Sequence, residues 1–139
     1  MPSTSCRGRN CEMPSNFQHK FVDFVPREIQ EGILYVSVEF ATASHLCTCG
    51  CKQRVVTPLS PRGWTLIFDG ETVTLDPSIG NWAFPCRSHY WFRNNRIVWA
   101  ADWSEKRIEE TRDRRKRAIK AHHDKPSELP RWLRWWDRK

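Results

Sequence analysis

The sequence predicts a mainly β protein, a small antiparallel β domain followed by a C-terminal α-helical extension. Three observations carry this. Short runs of β-branched and aromatic residues alternate with turn residues from position 20 to position 103. Beyond Trp103 those runs give way to Glu, Arg, Lys and Ala, which favour helix. The length, 139 residues, suits one modest core. The chain therefore reads as a flexible leader at 1–19, a β domain at 20–103 and a basic, Trp-rich helical tail at 104–139.

Taken in order, the leader is marked by Pro2, Gly8, Pro14 and several serines. Residues 21–25 form a β-rich run that Pro26 ends, and Glu31-Gly32 is a turn. Residues 33–40 are the strongest strand candidate, and 53–57 make a shorter one before Pro58. Residues 64–68 and 72–75 flank Asp69-Gly70, a hairpin signal. Residues 88–92 and 96–100 flank Asn94-Asn95, which predicts a second hairpin. Ser104 is a plausible N-cap with Glu105 in the first turn, so a helix is predicted over 105–121. Its apolar positions are few, mainly Ile108, Ala118 and Ile119. Asp124-Lys125-Pro126 breaks it, and a last short helix is expected from Ser127 into Trp132, Leu133, Trp135 and Trp136.

Eight tryptophans suggest large side chains filling a core short of Leu and Ile. No run of about 18 apolar residues is present, so no transmembrane helix is predicted. The polar stretch 1–16 does not read as a secretory signal, which predicts a cytoplasmic protein. The net charge of +7 is uneven: residues 104–139 hold 13 of the 23 Lys/Arg but 7 of the 16 Asp/Glu. That asymmetry points to an acidic partner for the tail, or to a solvated Arg-rich helix.

Six cysteines without a signal favour metal or redox chemistry over a disulfide framework. Cys6 and Cys11 match no zinc spacing and read as free thiols. The others cluster: His45-Leu46-Cys47-Thr48-Cys49-Gly50-Cys51, then Cys86. Zinc takes four tetrahedral thiolate or imidazole ligands. Three thiols in five residues, with Gly50 permitting a tight turn, supply most of that shell, and Cys86 can close it from a second segment. The preferred metal ligands are Cys47, Cys49, Cys51 and Cys86, with His45 and then His89 as substitutes. Lys52, Arg54 and Arg87 lie nearby in sequence and would offset the negative charge of a four-thiolate site. An ion joining distant segments contributes folding free energy, so a structural zinc is predicted.

A second constellation is Asp76-Pro77-Ser78-Ile79-Gly80-Asn81-Trp82 followed by Cys86-Arg87-Ser88-His89-Tyr90-Trp91. Ser78 is placed in a loop after Pro77, whose amides near Gly80 and Asn81 could stabilise an oxyanion. His89 could act as the base for a serine nucleophile, Ser78 or Ser88. Adjacent residues of a strand face opposite sides, which makes a Ser78–His89 pairing easier than Ser88–His89. For the orienting acid, Asp76 and Asn81 are the near candidates. The same residues also fit a plain turn and a satisfied core histidine.

The motifs His-x-Cys-x-Cys-Gly-Cys, Pro-Ser-Ile-Gly-Asn-Trp and Cys-Arg-Ser-His-Tyr-Trp together resemble a family of small bacterial domains, over residues 20 to 103. Its members are associated with ubiquitin-like conjugation operons in phage-defence islands. The resemblance implies partners in a ubiquitin-like protein and its conjugating machinery, and a peptidase role in trimming or removing that protein. Carried over, it implies Ser78 or Ser88 as nucleophile, His89 as base and the cysteines as a structural zinc site. Two other functions fit the residues: a non-catalytic zinc adaptor, and nucleic-acid binding through Arg131, Arg134 and Arg138 interleaved with the tail tryptophans.

Overall fold

A computed structural model describes residues 15–124. The chain divides after Trp103 into two compact units. The first holds eight strands in two four-stranded sheets, and the second carries one helix. The prediction of a mainly β protein with a C-terminal helix holds.

The first sheet has the order β1-β2-β3-β4, from Gln18–Phe21, Ile33–Ser37, Thr42–Leu46 and Arg54–Pro58. The second has the order β5-β6-β7-β8, from Thr65–Phe68, Val73–Gly80, His89–Arg93 and Arg96–Trp99. Every pairing is antiparallel except β1 with β2, which is parallel, in keeping with the mainly antiparallel domain expected. Inward residues of both sheets form one core: Leu34, Val36, Ala43 and Val55 meet Val73, Leu75, Ile79, Tyr90 and Phe92. Strand β4 shows the alternation directly, with Val55 and Thr57 buried and their neighbours exposed.

Several expectations are corrected. Residues 17–19 of the expected leader belong to the fold: Phe17 is buried in the core and β1 starts at Gln18. Residues 22–25 are not strand; the β1 ladder ends at Phe21 paired with Val36. The run at 33–40 breaks at Ser37, where Val38 to Ala41 turn and β3 returns. Ala41 takes a positive φ of 47° there, and the Ser37 hydroxyl donates to the Asp23 carbonyl at 2.7 Å. The tryptophans do not fill the core of the first unit: Trp64, Trp82, Trp91 and Trp103 are half-buried and Trp99 is exposed. Tyr90, Phe92 and the aliphatic residues fill it instead.

Both hairpin signals are realised. Asp69 caps the β5–β6 turn by accepting from the amides of Glu71 and Thr72 at 2.9 and 2.6 Å. Asn94 and Asn95 both take positive φ, 47° and 58°, between the paired Arg93 and Arg96. That is the two-residue turn whose twist matches the flanking strands.

The second unit's helix α1 spans Glu105–His123, and the Ser104 side chain accepts from the Arg107 amide as its N-cap. Among the described residues no helix is long and apolar enough to cross a membrane. Cys6, Cys11 and the expected helix with Trp132, Trp135 and Trp136 lie outside the described residues.

Candidate active site and metal centre

The β3–β4 hairpin loop carries three thiols. Cys47 donates its amide to the Gln53 carbonyl at 2.8 Å, and the Gly50 amide reaches the Cys47 carbonyl at 3.3 Å. Gly50 sits at φ 87° and Lys52 at 59°, so the loop curls back within a few residues. Cys86 comes from the connection between β6 and β7, in the other sheet. The four Sγ atoms all lie within 4.8 Å of one another. Cys47 to Cys49 is 3.4 Å, and Cys86 is 3.8 Å from both Cys47 and Cys51.

Those separations are too long for disulfides, which need about 2.05 Å. They suit four sulfurs around one tetrahedral ion, whose edges are about 3.8 Å for metal–sulfur bonds near 2.3 Å. The cluster can therefore hold a metal ion, and the three thiols of Cys-x-Cys-x-Cys do reach one centre. Burial pushes the Cys47 thiol up to about 11 and Cys49 upward as well. At Cys86 burial acts the same way but is outweighed by hydrogen bonds from Ser88 and from neighbouring thiols, which bring it down. A bound dication would supply the charge that burial otherwise denies to the thiolates.

Neither histidine substitute lies in this cluster. His45 is fully buried among Phe17, Tyr90 and Phe92. Its Nε2 meets the Tyr90 hydroxyl at 2.7 Å, and burial lowers its pKa to about 3, so the ring is neutral. Two of the three cations predicted to offset the thiolates have partners elsewhere. Arg54 donates to the Pro26 carbonyl at 2.6 Å, and Arg87 lies over the Trp82 ring and 4.0 Å from Asp102.

Ser88 and His89 face opposite ways, as strand alternation requires. Ser88 is buried against the thiols, its Oγ 3.1 Å from Cys47 Sγ and 3.5 Å from Cys86 Sγ. Asn81 Nδ2 donates to that Oγ at 2.9 Å and approaches the Tyr90 hydroxyl at 3.3 Å. Asn81 thus serves the thiol side and is not the orienting partner of His89.

His89 faces Ser78. Its Nε2 lies 2.9 Å from Ser78 Oγ, and its Nδ1 lies 2.6 Å from the Ala101 carbonyl oxygen. A carbonyl only accepts, so Nδ1 carries the proton and Nε2 is left as the acceptor for the serine hydroxyl. Ala101 lies two residues past the end of β8, and the Ala100 amide bonds the His89 carbonyl at 2.9 Å, which fixes that approach. The orienting group expected at Asp76 is thus a main-chain carbonyl, which a search for acidic residues cannot find.

Ser78 is not in a loop. It lies in β6, half-buried, after the cis Asp76-Pro77 bond and within a bulge where the register shifts between Leu75 and Ile79. The bulge re-aims a side chain that regular pleating would place otherwise. The Asn81 amide, expected as an oxyanion donor, is already bonded to the Ser88 carbonyl at 2.8 Å. Alternation then turns the Gly80 amide away from β7, past the last β5 pair at Thr65 and Asp76.

Fold and site together define a two-sheet β protein in which a four-thiol cluster and a Ser–His pair occupy opposite faces of one strand's start. The chain belongs to the family described as "Bacterial ubiquitination-like system serine protease (BubE)", which matches residues 21–100, more than half of its length. The tie to a bacterial ubiquitin-like operon family implied by the sequence motifs holds. No curated protein and no solved structure matches the chain.

Proposed function

We propose that this protein is a serine-type peptidase that processes or removes a ubiquitin-like protein in a bacterial ubiquitination-like pathway of phage defence. The observation that carries the reading is the Ser78–His89–Ala101 alignment: a hydroxyl 2.9 Å from Nε2 of a histidine whose Nδ1–H is held by a carbonyl at 2.6 Å. The family's description supports the reaction class and the pathway.

In this reading Ser78 Oγ gives its proton to His89 Nε2 as it attacks the carbonyl carbon of the scissile bond. The tetrahedral intermediate collapses when His89 passes that proton to the departing amine, leaving the acyl group on Ser78. A water molecule, deprotonated by the same nitrogen, then releases the carboxylate. The Gly80 amide is the main-chain donor the local geometry leaves for the oxyanion. Cys47, Cys49, Cys51 and Cys86 would hold a structural zinc, filling every position and tying the β3–β4 loop to the β6–β7 segment. Ser88 and Asn81 support those thiols. The protein acts where the conjugating machinery does, in the cytoplasm.

The test is cleavage of a ubiquitin-like precursor encoded beside the protein, with Ser78→Ala, Ser88→Ala and His89→Ala in parallel. Metal content and circular dichroism are recorded for each. Loss of cleavage in folded, metal-loaded Ser78→Ala and His89→Ala variants is expected. An inactive parent that instead binds a conjugating enzyme stably would replace this reading with a metal-stabilised adaptor.

A further inference from the structure

A serine hydrolase histidine becomes positively charged when it takes the serine proton, and a carboxylate commonly holds and compensates it. Among the described residues His89 bonds Ser78 and the Ala101 carbonyl, and no carboxylate. What surrounds the ring is aromatic. The Trp82 ring centroid lies 4.9 Å from that of His89, tilted by 54°. The Trp103 centroid lies 5.0 Å away in edge geometry at 71°, and the two indoles stack on each other at 5.8 Å and 26°. Both distances fall inside the range of aromatic ring contacts, about 4.5–7 Å.

The sequence makes room for this arrangement. A Cβ at Gly80 would run into the Trp82 indole, so the absence of a side chain there lets Trp82 lie down over the strand beside His89. Arg87 backs the Trp82 ring at 5.6 Å from its centroid and is itself 4.0 Å from Asp102. Trp103 and the orienting carbonyl of Ala101 leave β8 on the same three-residue segment, so one stretch of chain delivers both.

We propose that Trp82 and Trp103 are positioning residues that take over the carboxylate's orienting role: packed against the His89 ring, they hold it with Nε2 aimed at Ser78. This rests on Ser78 and His89 being the catalytic pair. Neither indole exchanges a proton; the clamp acts through His89.

The test uses the full-length, metal-loaded protein with Trp82→Leu, Trp103→Leu and the conservative Trp82→Phe and Trp103→Phe. Three quantities are read: kcat and KM for precursor cleavage, the rate of Ser78 labelling by a fluorophosphonate, and the His89 tautomer by long-range nitrogen–proton NMR. The Leu variants are expected to lose about 100-fold in kcat, the lower end of a general-base contribution, with KM within about 2-fold. They should also lose the single Nδ1–H tautomer, and the Phe variants should recover most of both. Ser78 labelling in the parent with unchanged kcat and tautomer in the Leu variants would overturn the clamp alone. An equal loss in Phe and Leu variants would also overturn it, because an aromatic ring would then not matter. No labelling of Ser78 in the parent would overturn the catalytic pair, and the clamp with it.

Discussion

Ser88 and His89 are neighbours in sequence with unrelated surroundings, and the 180° step of a strand is the cause. One hydroxyl touches sulfur while the adjacent imidazole touches the other serine. Replacing each should therefore separate two properties. Ser88→Ala should weaken metal affinity by roughly 10- to 100-fold, as loss of a partner to a ligand does, while Ser78→Ala should leave it intact and abolish cleavage. Competition with a metal-binding dye beside the cleavage assay checks both. His45 gives a pH prediction. Its pKa is lowered from 6.5 to about 3 by burial, so its contribution is fully present above about pH 6.5 and is lost as pH falls toward 3. Between pH 7 and pH 5 the parent should lose about 2 kcal/mol relative to a His45→Phe variant, at 1.36 kcal/mol per unit. Acid release of the metal affects both proteins, and the difference between their denaturation midpoints isolates the histidine.

The β7–β8 turn is where local preference and tertiary need coincide. Asn95 adopts φ 58°, exchanges backbone bonds with Phe17 and Val73, and its Oδ1 accepts from the Val73 amide at 2.9 Å. Its Nδ2 lies 3.0 Å from His19 Nδ1, so one residue joins β1, β6 and β7. Asn95→Gly keeps the backbone conformation and loses those side-chain bonds, which should cost about 1–3 kcal/mol. Asn95→Ala adds left-handed strain and should cost about 1 kcal/mol more. Urea unfolding of both variants measures the two steps. The β6 bulge is the opposite case. Pro77 marks an interruption in the sequence, but nothing local says that the strand resumes for Ile79 and Gly80 and thereby carries Ser78 to His89. The prediction ended that strand at Leu75 for this reason.

At the scale of the molecule, the four-cysteine cluster joins the two sheets. Three thiols belong to the first sheet's hairpin loop and the fourth to the second sheet's β6–β7 connection. The shared core is small, so an ion across that seam should supply a large part of the stability. Chelation is expected to collapse the β circular dichroism signal of the first unit and expose its tryptophans to quencher. A signal unchanged after the metal is shown to be gone would sink the structural role. Cys86→Ser should behave like partial chelation, because it removes the second sheet's tether.

Much of this was legible along the chain. Turn residues and β-branched runs marked six of the strands and both hairpins, since a dipeptide such as Asn94-Asn95 carries its own backbone preference. Thiol spacing marked the four-cysteine cluster, because three thiols within five residues lie close together whatever the fold. Alternation alone paired Ser78 with His89 in preference to Ser88. The rest depended on residues far apart in sequence. Strand β3 has a sequence of small and polar residues, Thr-Ala-Ser-His-Leu, whose burial comes from neighbours on both sides. The Ala101 carbonyl has no side-chain signature, and Trp82 and Trp103 acquire their role through proximity to a ring in another segment. Local conformational preference is written residue by residue, whereas which groups share one small volume is set by how two sheets pack over a single core.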